Sequence, residues 1–179
     1  MKIQWKTLII AILIPLAVGA LSAFLTQDSM AAFSALEQPP LSPPGWLFPV
    51  VWTILYILMG VASYLALTAE PAFSNGHESF VGANTGSGPG SNTGSYLFAD
   101  PALRAYAAQL FFNFGWSLIF FNWEAYLLAF FWLVILWVLI LITAVLFYQR
   151  SKLAGLLMLP YLAWVTFAGY LNLGIWWLN

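Results

Sequence analysis

Five apolar stretches, each long enough to cross a bilayer, dominate this sequence and fix what it can fold into. A spanning helix needs about 20 mostly apolar residues at about 1.5 Å rise per residue. Division at charges, prolines and polar clusters predicts spans over about Leu8–Leu25, Trp46–Leu67, Ala102–Phe121, Ala125–Tyr148 and Leu153–Leu178. Four of these carry no charged residue, and the third carries only Arg104. With 6% charged residues against 63% hydrophobic ones, the chain lacks the polar side chains that a water-facing surface requires, where about 25% charge is usual. The reading is an all-α integral membrane bundle of five transmembrane helices in a single domain, 1–179. Lys2 and Lys6 before an apolar run also resemble a signal peptide, with Val18-Gly19-Ala20 as its cleavage site, but the run exceeds the usual h-region of about 7–15 residues.

The same scarcity of charge narrows function. A net charge of -1 provides no basic footprint for a phosphate backbone, so nucleic acid is excluded as a partner. The absence of cysteine and the single histidine exclude thiolate or His-cluster metal sites and Cys nucleophiles. Coupled transporters place ionisable groups at mid-membrane, whereas Glu124 is the sole acid near a span boundary outside the long loops. No His, Asp or Lys lies mid-span to activate Ser63, Ser117 or Thr166, which argues against acyl-transfer or hydrolytic chemistry.

Two connections stand out. Residues 39–49 hold five of the ten prolines, predicting a stiff extended segment that can act as a lid. Residues 71–101 contain a Gly/Ser/Asn/Thr tract at 84–95, which reads as a flexible solvent loop; His77 within it reads as a solvated side chain. With five spans, Lys2, Lys6, Arg104, Arg150 and Lys152 all fall on one side. The positive-inside rule then predicts a cytoplasmic N-terminus and an external C-terminus.

Polar and aromatic side chains recur at helical spacing within the spans. Pro49, Thr53, Tyr56, Gly60 and Ser63 share one face; so do Tyr106, Gln109, Asn113 and Trp116, then Tyr161, Trp164, Ala168 and Asn172, and finally Pro15, Gly19, Ser22 and Thr26. The amides Gln109, Asn113 and Asn172 must turn inward, because an unpaired amide in hydrocarbon costs several kcal/mol. They serve either as interhelical hydrogen bonds or as pocket lining. Trp5, Trp123, Trp176 and Trp177 fit an interfacial belt, Trp46 lies at the boundary, and Trp52, Trp116, Trp132, Trp137 and Trp164 lie deeper. An interior walled by indole and phenol rings suits a flat, apolar ligand such as a tetrapyrrole or sterol. With no intramembrane His or Cys to ligate iron, a porphyrin would be held by stacking.

The run Pro43-Pro44-Gly45-Trp46-Leu47-Phe48-Pro49-Val50-Val51-Trp52-Thr53-Ile54-Leu55-Tyr56-Ile57-Leu58-Met59-Gly60 closely resembles the second-helix signature of the TspO/MBR family, the tryptophan-rich sensory and translocator (peripheral benzodiazepine receptor) proteins. Ala108-Gln109-Leu110 with Asn113 and Trp116, and Pro160-Tyr161-Leu162-Ala163-Trp164 with Leu171-Asn172 and Leu178-Asn179, resemble its third- and fifth-helix signatures. The resemblance implies a five-helix bundle, often dimeric, that binds porphyrins and benzodiazepine-type drugs in a pocket under the first loop, with no cofactor required. It places pocket residues at Trp46, Trp52, Asn113, Trp116, Trp137 and Trp164; Tyr56, Gln109 and Asn172 join them from the helical-face reading. It implies a receptor or sensor in tetrapyrrole regulation or stress response, in the bacterial inner membrane. Its alternatives are a porphyrin or sterol transporter and a light-dependent porphyrin-degrading enzyme using Trp52, Trp137 and Trp164. The sequence departs from the family where bacterial relatives commonly carry loop tryptophans, here Pro40-Leu41. The last helix has Leu173 and Trp177 where the sterol motif wants a tyrosine and a basic residue. Leu146-Phe147-Tyr148-Gln149-Arg150 fits a loose sterol pattern but reads more simply as a helix end at the headgroups. The 71–101 insertion is longer than the loop expected between the second and third helices.

Overall fold

The computed structural model describes residues 3–69 and 100–179, and all regular structure among them is helical. The Gly/Ser-rich tract, His77 and Lys2 lie outside the described residues. Helix α1 covers Trp5–Thr26, and a single 3₁₀ turn, Gln27–Ser29, leads into the short α2, Met30–Ala35. Helix α3 covers Leu47–Thr68, α4 Pro101–Ser117 and α5 Tyr126–Arg150; α6, Lys152–Leu156, and α7, Leu159–Leu178, complete the chain. Helix α4 continues as a π-helical turn over Leu118–Asn122.

Four segments are long and apolar enough to cross a membrane: Trp5–Ser29, Leu47–Thr68, Tyr126–Arg150 and Lys152–Leu178. The expected third span falls short of that standard as a helix. Its α-helical part has only 17 residues, and Arg104, Gln109 and Asn113 dilute its apolar content. Its ends nevertheless lie at opposite ends of the bundle. At its start Asp100 pairs with Arg150, the last residue of α5; at its finish Asn122 donates to the Leu25 carbonyl at 2.9 Å and accepts from the Ser29 hydroxyl at 2.9 Å.

The helix ends follow from local chemistry. Asp100 caps α4 by accepting from the Ala102 N–H at 2.9 Å, with Pro101 at the first helical position, where a missing N–H costs nothing. Ser151 breaks α5 from α6 in an extended conformation and accepts from Ala154 N–H at 3.4 Å. The proline-rich stretch is shorter as a loop than its composition suggests. Pro49 lies inside the first turn of α3, where proline is tolerated, and the short α2 precedes the loop proper, residues 36–46.

Helix α1 packs on α3 through glycine. A side chain at Gly19 would collide with the Tyr56 ring, so the absent Cβ is what lets the two helices close around that tyrosine. Ala23, one turn further along α1, is exposed. Helix α4 packs on α5, where the Trp132 ring stacks on Phe112 at 4.4 Å between centroids and its indole N–H donates to the Phe112 carbonyl at 2.7 Å. The core gathers Met59, Leu136, Ile140, Phe147, Met158, Tyr161, Val165 and Ile175 from α3, α5, α7 and the α6–α7 join.

The described charges sort by end. Lys6, Arg104, Arg150 and Lys152 accompany Asp100 at the end where the Gln4 N–H donates to the Tyr64 hydroxyl at 3.0 Å. Asp28, Glu37 and Glu124 occupy the other end, where Asn179 meets Glu37.

Candidate functional site: an aromatic and amide cluster beneath the first loop

Three helices deliver polar side chains to one buried point. The Tyr56 hydroxyl of α3 donates to Asn113 Oδ1 at 2.8 Å, and Asn113 Nδ2 of α4 donates to the Tyr161 hydroxyl of α7 at 2.8 Å. Asn113 and Tyr161 are fully buried, so each polar group depends on its neighbour for the hydrogen bond that water would otherwise supply. Within one turn along α4 and about three turns along α7, the Trp116 indole N–H donates to Asn172 Oδ1 at 3.1 Å, while Asn172 Nδ2 donates to the Tyr126 carbonyl at 2.7 Å. Two of the three inward amides therefore tie helices together. The third, Gln109, is fully buried, with Nε2 3.7 Å from Met59 Sδ and no hydrogen-bond partner for Oε1 among the described residues.

Aromatic rings surround these bonds. Trp52 stacks on Tyr56 at 5.6 Å, meets Tyr161 edge-on at 6.0 Å, and lies 6.3 Å from Trp116. Trp116 in turn stacks on Phe120 at 5.2 Å. Phe120 and Phe121 belong to the π-helical turn, whose extra residue per turn brings both rings onto Phe33 of α2, at 5.9 and 5.4 Å. Phe33 also meets Phe48 at 6.3 Å, and Phe48 meets Trp164 edge-on at 5.9 Å.

Of the residues singled out from sequence, Trp52, Tyr56, Asn113, Trp116 and Asn172 thus converge. Gln109 lies one turn from Asn113 against Met59, and Trp164 reaches the cluster through Phe48. Trp164 also lines a groove between α3 and α7 with Leu55, Leu58 and Phe167. Trp137 stands apart: its indole N–H donates to the Thr166 hydroxyl at 2.8 Å on the α5–α7 seam. Trp46, at the head of α3, is 67% exposed and makes no ring contact within the cluster. Phe33, Phe48, Phe120 and Tyr161 belong to the cluster although the spacing argument did not select them as site residues. Periodicity had already placed Tyr161 on the face of Trp164 and Asn172, and Phe48 lies one helical turn from Trp52, so periodicity could have found it too. Phe33 had no such signal, since α2 is too short to show a period.

The loop over residues 36–46 is fastened across the cluster. The side-chain amide of Asn179 takes both main-chain groups of Glu37, accepting its N–H at 3.0 Å and donating to its carbonyl at 3.1 Å. The Tyr170 hydroxyl donates to the Pro40 carbonyl at 2.8 Å. Gly174 lets the loop lie down on α7, because a Cβ there would sit 2.6 Å from Pro39. Leu41 turns the loop at φ 68, in the left-handed region that favours glycine, and is 81% exposed. Beneath the loop, the space bounded by Phe33, Phe48, Trp116, Phe120, Leu171 and Asn172 measures only about 20 Å³. Drug-sized ligands occupy about 300–1,000 Å³, so Phe33 and its neighbours fill this site with the protein's own rings.

Several apolar spans around an interior of indoles, phenols and carboxamides, beneath a folded loop, define an integral multi-pass helical membrane protein with a buried aromatic cluster. The chain belongs to the TspO/MBR family, whose sequence pattern matches residues 11–178. It is 38% identical over 180 residues to the tryptophan-rich protein TspO of Chlorobaculum tepidum, covering 100% of this chain and 99% of that protein. The tryptophan-rich protein TspO of Archaeoglobus fulgidus is 33% identical over 174 residues, covering 96% of each chain. The translocator protein of Bos taurus is 31% identical over 165 residues, covering 92% of this chain and 85% of the relative.

Proposed function

We propose that this protein is a membrane receptor or sensor that binds tetrapyrroles and similar flat apolar ligands in the aromatic cluster, without a required cofactor, and acts in tetrapyrrole regulation or a stress response. The observation that carries the reading is the convergence of Trp52, Tyr56, Trp116 and Tyr161 on the Asn113 and Asn172 amides. Rings offer stacking faces, and the amides offer both donors and acceptors to a polar ligand edge. Entry requires the 36–46 loop and Phe33 to lift, because the closed space is far smaller than a porphyrin. The proposal includes five crossings, since α4 with its π-helical turn reaches from one end of the bundle to the other. It also includes a cytoplasmic N-terminus in a bacterial inner membrane, from the basic end of the bundle. Association into homodimers is carried by the family resemblance.

Titrating purified protein with protoporphyrin while following tryptophan fluorescence tests the reading. Saturable quenching, weakened by Trp116→Leu, is the expected result; absence of quenching rejects it. Under light, a bound pigment with an unchanged spectrum supports the receptor, whereas progressive bleaching abolished by Trp52→Phe would establish the porphyrin-degrading alternative instead. Trp52, Trp137 and Trp164 make no ring contact with one another, which favours the receptor.

A further inference from the structure

The aromatic cluster and its covering loop lie at one end of the bundle, and the basic residues lie at the other. Arg150 closes α5, about 36 Å along that helix from Tyr126, and Lys6, Arg104 and Lys152 share its end. The fifth basic residue of the sequence, Lys2, lies outside the described residues. Carboxylates surround the covered end instead. Asp28 precedes α2 and Glu37 follows it, so the element that carries Phe33 has an acid on each side. Glu124 borders the space against Phe33, Phe120, Phe121 and Tyr126. All three acids are exposed, and none forms an ion pair among the described residues; the pair that does form, Arg150 with Asp100, belongs to the opposite end.

The interior adds no cation. The groups that meet in the cluster are the rings of Trp52 and Trp116, the phenols Tyr56 and Tyr161 and the amides Asn113 and Asn172, all of them neutral. Aromatic rings present a negative face, and a carboxylate taken out of water is strongly disfavoured without a cation to receive it. The α3 N-terminus offers an anion little, since Pro49 in its first turn has no N–H and the Leu47 N–H is taken by the Pro44 carbonyl at 2.9 Å. Among the described residues, a ligand passing from solvent to interior therefore meets acids, then ring faces, then neutral amides, and no positive group.

Resting on the receptor reading above, we propose that the site selects tetrapyrroles by charge: it takes those whose side-chain carboxylates are esterified or absent, and Asp28, Glu37 and Glu124 determine specificity against the free acids. A free-acid porphyrin has the same macrocycle for stacking, but its charged edge must either enter a cluster without a cation or stay beside carboxylates of like sign. An ester removes both penalties and keeps carbonyl acceptors for the amide donors of the cluster. Because the three acids are exposed, their repulsion is screened over about 8 Å at physiological ionic strength, and the selection is salt-dependent.

The full chain in a non-ionic detergent, titrated with protoporphyrin and with protoporphyrin dimethyl ester under tryptophan fluorescence at about 20 mM and about 500 mM salt, tests this. At low salt the ester should bind about tenfold more tightly than the free acid, and the ratio should shrink severalfold at high salt. The ester also partitions more into the micelle, so the deciding comparison is between proteins. The combined variant Asp28→Asn, Glu37→Gln, Glu124→Gln should improve the free acid relative to the ester severalfold, and Glu124→Lys, which places a cation beside Phe33, should improve it as well. Equal affinity of the wild type for acid and ester, or a ratio that neither salt nor the combined variant moves, overturns the proposal and leaves the receptor reading standing. Quenching by neither porphyrin rejects the receptor reading and the selection with it. Should the combined variant fail to fold, the salt series and Glu37→Gln alone, which leaves the main-chain bonds to Asn179 in place, decide the outcome.

Discussion

Asn113 ties three helices together, and on the proposed function it also meets the ligand. Its carboxamide bridges Tyr56 and Tyr161 from opposite directions, so Asn113→Leu strands two phenol hydroxyls at once. The expected cost is about 1–3 kcal/mol in unfolding experiments in detergent, and combining it with Tyr56→Phe and Tyr161→Phe should recover most of that loss. A triple variant no more stable than Asn113→Leu would show that the hydroxyls are not the source of the cost. Protoporphyrin affinity should fall further with Asn113→Leu than stability does; equal loss of both would confine the residue to holding helices together. Asp100 makes a second residue-scale prediction. Burial alone would raise its carboxyl, but the hydrogen bonds and charge of Arg150 and the N–H groups of Ala102 and Leu103 outweigh that and hold it below its ordinary value. Because the folded-state pKa is depressed, the group's contribution to stability is present above the unfolded value of about 3.9 and is lost as pH falls through the folded value. Thermal stability should therefore decline below about pH 4 in the wild type, and Asp100→Asn should start lower and lose less over the same range.

At the scale of elements, the proposed function makes α2 and the loop after it the elements that control access to the cluster. Phe33 fills the space that a ligand must take, between Phe48, Phe120 and Phe121. Phe33→Ala should raise the protoporphyrin association rate severalfold in stopped-flow quenching; an unchanged rate would mean that the ligand enters elsewhere. Asn179→Ala removes both bonds to Glu37 and should raise association and dissociation rates together, leaving the equilibrium constant less altered than either. These control elements were the part least visible in the sequence. Long spans announce themselves by hydrocarbon thickness, and the faces carrying Tyr106, Gln109, Asn113 and Trp116 are legible because burial repeats every three to four residues. A six-residue helix has no period to read, a π-helical turn leaves no compositional mark, and Trp46 and Trp137 share a residue type with the cluster without sharing its location.

For the whole molecule, the decisive question is how many times the chain crosses the membrane. Length and composition admit four segments, which would return both termini to one side. On the proposed five-crossing reading, α4, bonded to Arg150 at one end and to Leu25 at the other, is a fifth traverse and the termini lie on opposite sides. Reporters fused at each end should therefore disagree, with the N-terminal one cytoplasmic; agreement between them would remove the fifth crossing. The charge distribution was legible from sequence once the spans were placed, because Lys6, Arg104, Arg150 and Lys152 sort to one end by topology alone. The pairing of Arg150 with Asp100 was not, since it depends on how α4 and α5 meet in space.

The Asn179 fastening has a consequence for how such a protein can diversify. Its two bonds grip the peptide group of residue 37 and ignore that residue's side chain, and the Tyr170 bond likewise goes to a main-chain carbonyl. The cover is thus hydrogen-bonded to α7 through its backbone, while the buried Pro39 ring rests on Gly174 and Leu36 packs on the core. On the proposed function, exposed side chains such as Leu41 can be exchanged to suit a different ligand while these hydrogen bonds persist, so that ligand preference and closure can be inherited separately.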